Sequence, residues 1–144
     1  MSANLQLENV SKLAERYLSV RKQSLALCLP LEVEDYQIQP MPDASPPKWH
    51  LAHVTWFFET FLLQPFSKNY RVFDPYFGTL FNSYYNGVGK PFSRDHRGFL
   101  SRPTLARVFE YRDYVDGKML ELVQTSMTDE LVFRLQLGLN HEQQ

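Results

Sequence analysis

Residues 46–65 read PPKWHLAHVTWFFETFLLQP, and apolar side chains fall on almost every side of a helical projection of this stretch. A helix of that kind is buried over most of its surface, so other helices must surround it. Nothing else in the 144-residue chain constrains the fold as strongly. Ser45 is placed to cap this helix, with Pro46 at its first position, where a proline loses no intrahelical hydrogen bond.

The remaining segments supply the surround. Leu5, Val10, Leu13, Tyr17, Val20 and residues 24–28 recur near the helical period, and Pro30 stops that helix. The stretch EDYQIQPMPDASPPKW reads as an ordered, proline-punctuated loop. Ser101 is expected to cap a third helix running from Arg102 to about Gln124, with Pro103 in its first turn. Thr128 caps a fourth, with Asp129 and Glu130 suited to the positive end of the helix dipole. Between the second and third helices lies a long aromatic connection, residues 66–101. It should hold a short helical or turn piece near LFNSYYN and break at Gly87, Gly89, Pro91 and Gly98. A connection this long in a compact domain is usually functional. No strand pattern or repeat is present. The prediction is an all-α fold, a four-helix bundle forming one domain over residues 1–144.

Charge and cysteine usage remove several function classes. A net charge of −1 with no basic stripe offers nucleic acid or an anionic membrane no field to follow. Cys28 is the only cysteine, so no intrachain disulfide forms, which suits a reducing cytosol. MSANLQLENV lacks the layout of a signal peptide, and the apolar runs are too short or interrupted to span a bilayer, which takes about 20 residues. The expectation is a soluble cytoplasmic protein, with a dimer left open.

Three constellations carry possible chemistry. His50 and His53 stand at i, i+3 in the apolar helix, and buried imidazoles need partners for their nitrogens. Either a metal supplies one, or His50 faces a loop carbonyl while His53 bonds Glu59 or a backbone group. In LGLNHEQQ, residues 137–144, His141 lies one turn beyond Gly138, whose missing side chain leaves space for a ligand or another helix. A residue four beyond His141 would share its face. Facing helices are the ordinary place for a bundle to build a metal site. In SRDHRG, Arg94 and Arg97 can turn two guanidinium forks to one carboxylate, unless this is a solvated loop in which Asp95 pairs internally. Tyr76, Phe77, Phe81, Tyr84 and Tyr85 read as packing. His-Glu-Gln-Gln also resembles the start of an HExxH zinc site with Glu142 as base, but Glu142 shares the arc of Leu131, Leu135 and Leu139 and should point into the core.

The strings RKQSLALC, QPMPDASPPKWHLAHVTWFFETFLL, LFNSYYNGVG, RGFLSRPTL and LGLNHEQQ together resemble one family. It is the N-terminal DinB-like domain of ergothioneine-biosynthesis sulfoxide synthases of the EgtB type, and the match runs over about residues 12–144. The resemblance implies a DinB-like four-helix bundle holding non-haem iron(II) on three histidines. These are His53, His141 and the residue immediately after Gln144. It also implies a C-terminal formylglycine-enzyme-like domain that carries a catalytic tyrosine and completes the pocket. On that reading the chain is a truncated form, without a catalytic residue of its own and inactive alone.

The implied reaction joins the sulfur of cysteine or γ-glutamylcysteine to the imidazole of trimethylhistidine (hercynine), giving a sulfoxide. Three neutral imidazoles leave three octahedral positions free for substrates and dioxygen. Arg94 and Arg97 match the family's clamp on the thiol substrate's carboxylate, and Gln144 matches the glutamine that touches the histidine-derived substrate. Two alternatives stand beside it: a DinB-like zinc or nickel thiol transferase or hydrolase, and a helical binding module without catalysis.

Overall fold

The computed structural model describes residues 3–83, 87, 89, 91–125 and 127–144, the side chain of Gln6 excepted. Four long helices carry the architecture. They are α1 (Ala3–Leu27), α2 (residues 47–66), α3 (Leu105–Thr125) and α4 (Asp129–Gln143). Among the described residues no strand forms beyond one isolated bridge between Met41 and Ala44. The chain is all-α, as its patterning requires. None of the described helices is long and apolar enough to cross a membrane.

The apolar stretch that dominates the sequence is α2, packed against α3 and α4 and touching α1 where Phe58 meets Tyr17 edge-on. Trp56, Phe58 and Leu62 of α2 are completely buried, together with Tyr17 of α1, Val115 of α3 and Leu135 of α4. Partway along, α2 changes pitch: Pro47–Phe58 is α-helical, Glu59–Leu63 forms a π-helical turn, and Gln64–Phe66 returns to α. Glu59, at the start of the π turn, is buried. Its carboxylate accepts from the Tyr70 hydroxyl at 2.5 Å, the Tyr111 hydroxyl at 2.8 Å and the Phe73 N–H at 3.2 Å. Three donors satisfy the hydrogen-bonding capacity of this buried side chain. These bonds fasten the start of the connection to α2 and α3.

Two helix starts differ from expectation. Pro46, not Ser45, occupies the cap position of α2. The Ser45 hydroxyl accepts from the buried Arg97 guanidinium at 2.8 Å instead. In α3, Thr104 lies three residues before Arg107 and accepts its N–H at 3.2 Å, so the helix begins at Leu105 and leaves Ser101 and Pro103 outside. Thr128 caps α4 as expected, accepting from the Leu131 N–H at 3.2 Å.

The loop before α2 contains a 3-10 turn at Val33–Gln37, and the connection after it contains Phe77–Leu80 and Arg94–Phe99. Phe77 and Phe81 are buried packing residues, whereas Tyr76 is exposed. Tyr84 and Tyr85 lie outside the described residues. Trp49 Nε1 donates to Leu80 O at 2.9 Å and Lys48 Nζ donates to Leu100 O at 2.9 Å, which draws the connection over the first half of α2.

Candidate metal centre

His53 is 5% exposed on α2, and its Nδ1–H donates to Phe81 O at 2.6 Å. That bond fixes the tautomer and leaves Nε2 with its lone pair. His53 Nε2 lies 3.2 Å from His141 Nε2 of α4. The imidazole also stacks with Trp49, centroids 4.5 Å apart at 12°, and with Trp56 at 5.6 Å and 16°. Hydrogen bond and stacking together leave the ring little freedom.

His141 leans on Phe57, centroids 5.1 Å apart. Gly138 makes this close approach possible, because a Cβ there would come within 2.6 Å of Phe58 and 3.1 Å of Phe57. The space beside the glycine is therefore filled by a helix, not kept for a ligand. His50, three residues before His53, is exposed and sets its ring edge-on to Trp49 at 5.5 Å. Of the two α2 histidines only His53 meets His141.

The pair suits one ion. Nitrogen ligands at about 2.0–2.1 Å from a metal and about 90–110° apart lie about 2.8–3.4 Å from one another. The observed 3.2 Å falls within that interval. Burial holds the His53 imidazolium down to about 3 against the Phe81 hydrogen bond, with His141, Arg97 and His50 adding to the effect. His141 is lowered too, by burial, with Glu142 opposing. Both rings are thus neutral near pH 7, the form that binds metal. His141 Nδ1 is buried without a hydrogen-bond partner among the described residues. Among the described residues no set of three His, Cys, Asp or Glu side chains converges at this point, where His53 and His141 meet.

The pair opens on a cavity of about 650 Å³, also lined by Cys28, Trp49, Arg94, Arg97 and Gln144. Arg97 is buried, with its guanidinium carbon 3.5 Å from the centroid of the Trp49 ring. Arg94 is exposed, and its Nη2 donates to Asp43 O at 2.7 Å. Asp95 does pair locally, accepting from the Ser93 hydroxyl at 2.5 Å, so the solvated-loop reading describes Asp95 but not Arg97. Burial raises the Cys28 thiol, with Arg112 opposing, which keeps it protonated.

The Glu142 side chain is buried behind the pair. It accepts from Arg21 Nη1 at 2.9 Å, Arg112 Nη2 at 3.1 Å and the Ser24 hydroxyl at 2.7 Å. Burial pushes its carboxyl up, but Arg21, Arg112 and Ser24 outweigh that and hold it below the ordinary value. Both oxygens are engaged in the core, which removes Glu142 as the base of an HExxH protease. Sequence reasoning placed it there but assigned Arg21, Arg112 and Trp49 no part. The available signal was an arginine on the apolar stripe of each helix, Arg21 beside Tyr17 and Val20, Arg112 between Val108 and Val115.

Fold and site together define a helical bundle that presents two neutral histidines from facing helices to one cavity. Residues 16–142 match the DinB superfamily, and the chain belongs to it. No curated protein matches the chain.

Proposed function

We propose that this DinB superfamily chain is the metal-binding domain of a non-haem iron(II), oxygen-dependent sulfoxide synthase of ergothioneine biosynthesis. The observation that carries the reading is the 3.2 Å approach of the two Nε2 atoms beside a cavity that also contains Arg97 and Gln144. His53 and His141 would hold the ion. A third imidazole would come from the position directly after Gln144, four residues beyond His141 and on its face. Bound iron(II) would supply the site at which the thiol substrate and dioxygen meet.

The chain's own residues orient the substrates. Arg97, held over the Trp49 ring, would turn a positive charge to the carboxylate of cysteine or γ-glutamylcysteine. Arg94, at the exposed mouth, gives that carboxylate a second partner. Gln144 brings an amide to the hercynine side of the cavity. The indoles stacked on His53 exclude water from that face of the site. A neutral imidazole pair suits zinc or nickel as well. A DinB-like thiol transferase or hydrolase is therefore the second reading.

Anaerobic titration with iron(II), cobalt(II) and zinc(II) tests the site. His53→Ala and His141→Ala should each weaken binding by roughly tenfold or more, and His50→Ala should not. Equal loss in His50→Ala and His53→Ala would overturn the ligand assignment. Oxygen-dependent sulfoxide formation from hercynine and a thiol, assayed in a protein that includes the formylglycine-enzyme-like domain, separates the two readings. Zinc-dependent thiol transfer without sulfoxide favours the second.

A further inference from the structure

The two histidine-bearing helices are joined by two buried guanidinium groups from the other two helices. Arg21 of α1 and Arg112 of α3 are each 2% exposed. Arg21 Nη2 donates to Thr55 Oγ1 at 2.8 Å and Nη1 to Glu142 at 2.9 Å, while Nε donates to Asp116 at 2.7 Å. Arg112 Nη1 donates to Leu51 O at 3.0 Å and to Thr55 Oγ1 at 3.3 Å. Its Nη2 donates to Glu142 at 3.1 Å and to Arg21 O at 3.0 Å. Leu51 and Thr55 stand two residues to either side of His53, and Glu142 directly follows His141. Each arginine therefore grips α2 beside one histidine and α4 beside the other.

We infer that Arg21 and Arg112 are positioning residues that set the separation of His53 and His141 and so tune metal affinity. The inference rests on the metal-binding reading of that pair. A guanidinium is a rigid planar fork, so sliding α4 along α2 would break bonds at one end or the other. The contact between the two neutral imidazoles is a single weak one, and the packing of Gly138 on Phe57 and Phe58 limits how closely the helices approach but supplies no directional bond against sliding. A buried ion-pair cluster is itself poor evidence of added stability. Its consistent attachment beside both histidines points instead to geometry, as expected of groups one shell out from a metal.

Cobalt(II) titration, read from the d–d bands, is compared with thermal stability in five proteins: wild type, Arg112→Lys, Thr55→Val, Thr55→Ser and Tyr111→Phe. Lysine keeps the charge but loses the fork, and valine removes the acceptor shared by both arginines. Both variants should bind cobalt about tenfold or more weakly with altered bands. Thr55→Ser keeps the hydroxyl and should bind as wild type does. Tyr111→Phe removes a hydrogen bond from α3 to Glu59 of α2 that neither arginine shares, and should lower stability without weakening binding. Should Arg112→Lys fail to fold, the Thr55→Val and Thr55→Ser comparison decides. Unchanged affinity in the folded strut variants overturns the inference, as does affinity that merely follows melting temperature across the series. Wild-type protein that binds no cobalt overturns the metal reading and this inference together.

Discussion

At the scale of single residues, the most consequential group is His53, buried as a neutral imidazole with its Nδ1–H on Phe81 O. Burial lowers it to about 3, whereas an unfolded histidine titrates near 6.5. Between those values the unfolded chain holds a proton that the folded chain refuses. Stability in the metal-free protein is therefore full above about pH 6.5 and falls as the pH drops towards 3. From pH 7 to pH 5 this one group should remove roughly 2 kcal/mol. Glu142 acts in the same direction, since its stabilisation is present above its unfolded value and lost as acid protonates it. Urea denaturation at a series of pH values should show the decline, and His53→Gln should flatten it. Identical slopes in the two proteins would mean that His53 titrates as an ordinary exposed histidine.

At the scale of elements, the crossing of α2 and α4 depends on Gly138. An added methyl at that position meets Phe58 at 2.6 Å and Phe57 at 3.1 Å, and both rings are buried. Alanine is the better helix former by about 1 kcal/mol, but overpacking a filled core costs about 1–3 kcal/mol. Gly138→Ala should lower stability by about 1 kcal/mol and weaken metal binding, because the displaced Phe57 ring supports His141. A variant as stable as wild type with unchanged cobalt affinity would show that the helices part without cost. The helices themselves were legible from periodicity and from the Thr128 cap. The π turn at Glu59 was not: periodicity carries no sign of it, and the Glu59 side chain at its start bonds tyrosines 11 and 52 residues away in the chain.

At the scale of the whole molecule, four helices converge on the two imidazoles: α2 and α4 carry them, α1 and α3 brace them. Glu142 ties the last turn of α4 to α1 and α3, and Arg16 donates to Asn140 Oδ1 at 2.9 Å. His141 is thus held in place by the packing of its own helix turn. We predict that the 144-residue chain binds iron(II) weakly and forms no sulfoxide. Adding a histidine directly after Gln144, followed by two helical turns, should tighten binding markedly. Anaerobic titration of both proteins checks this. Equal affinities would mean that the added imidazole is not a ligand, or that another chain already supplies one.

The amino-acid sequence by itself determined the helical class, because apolar residues around the whole of α2 demand a surround and local caps and prolines mark where the other helices stop. It also singled out His53 and His141, through their spacing on apolar helices and the motifs around them. Choosing His53 over His50 from spacing alone was not possible, since both sit on one helix and only the position of α4 separates them. The tertiary structure decided which of the two meets His141, the Phe81 carbonyl that sets the tautomer, the indole beneath Arg97 and the two arginines that join the helices beside the pair. Each of these depends on residues 28 or more positions apart meeting in a dry interior, where an unpaired polar group is costly and partners are chosen by proximity. Periodicity reports which face of a helix is buried. What that face meets is settled only when the four helices pack.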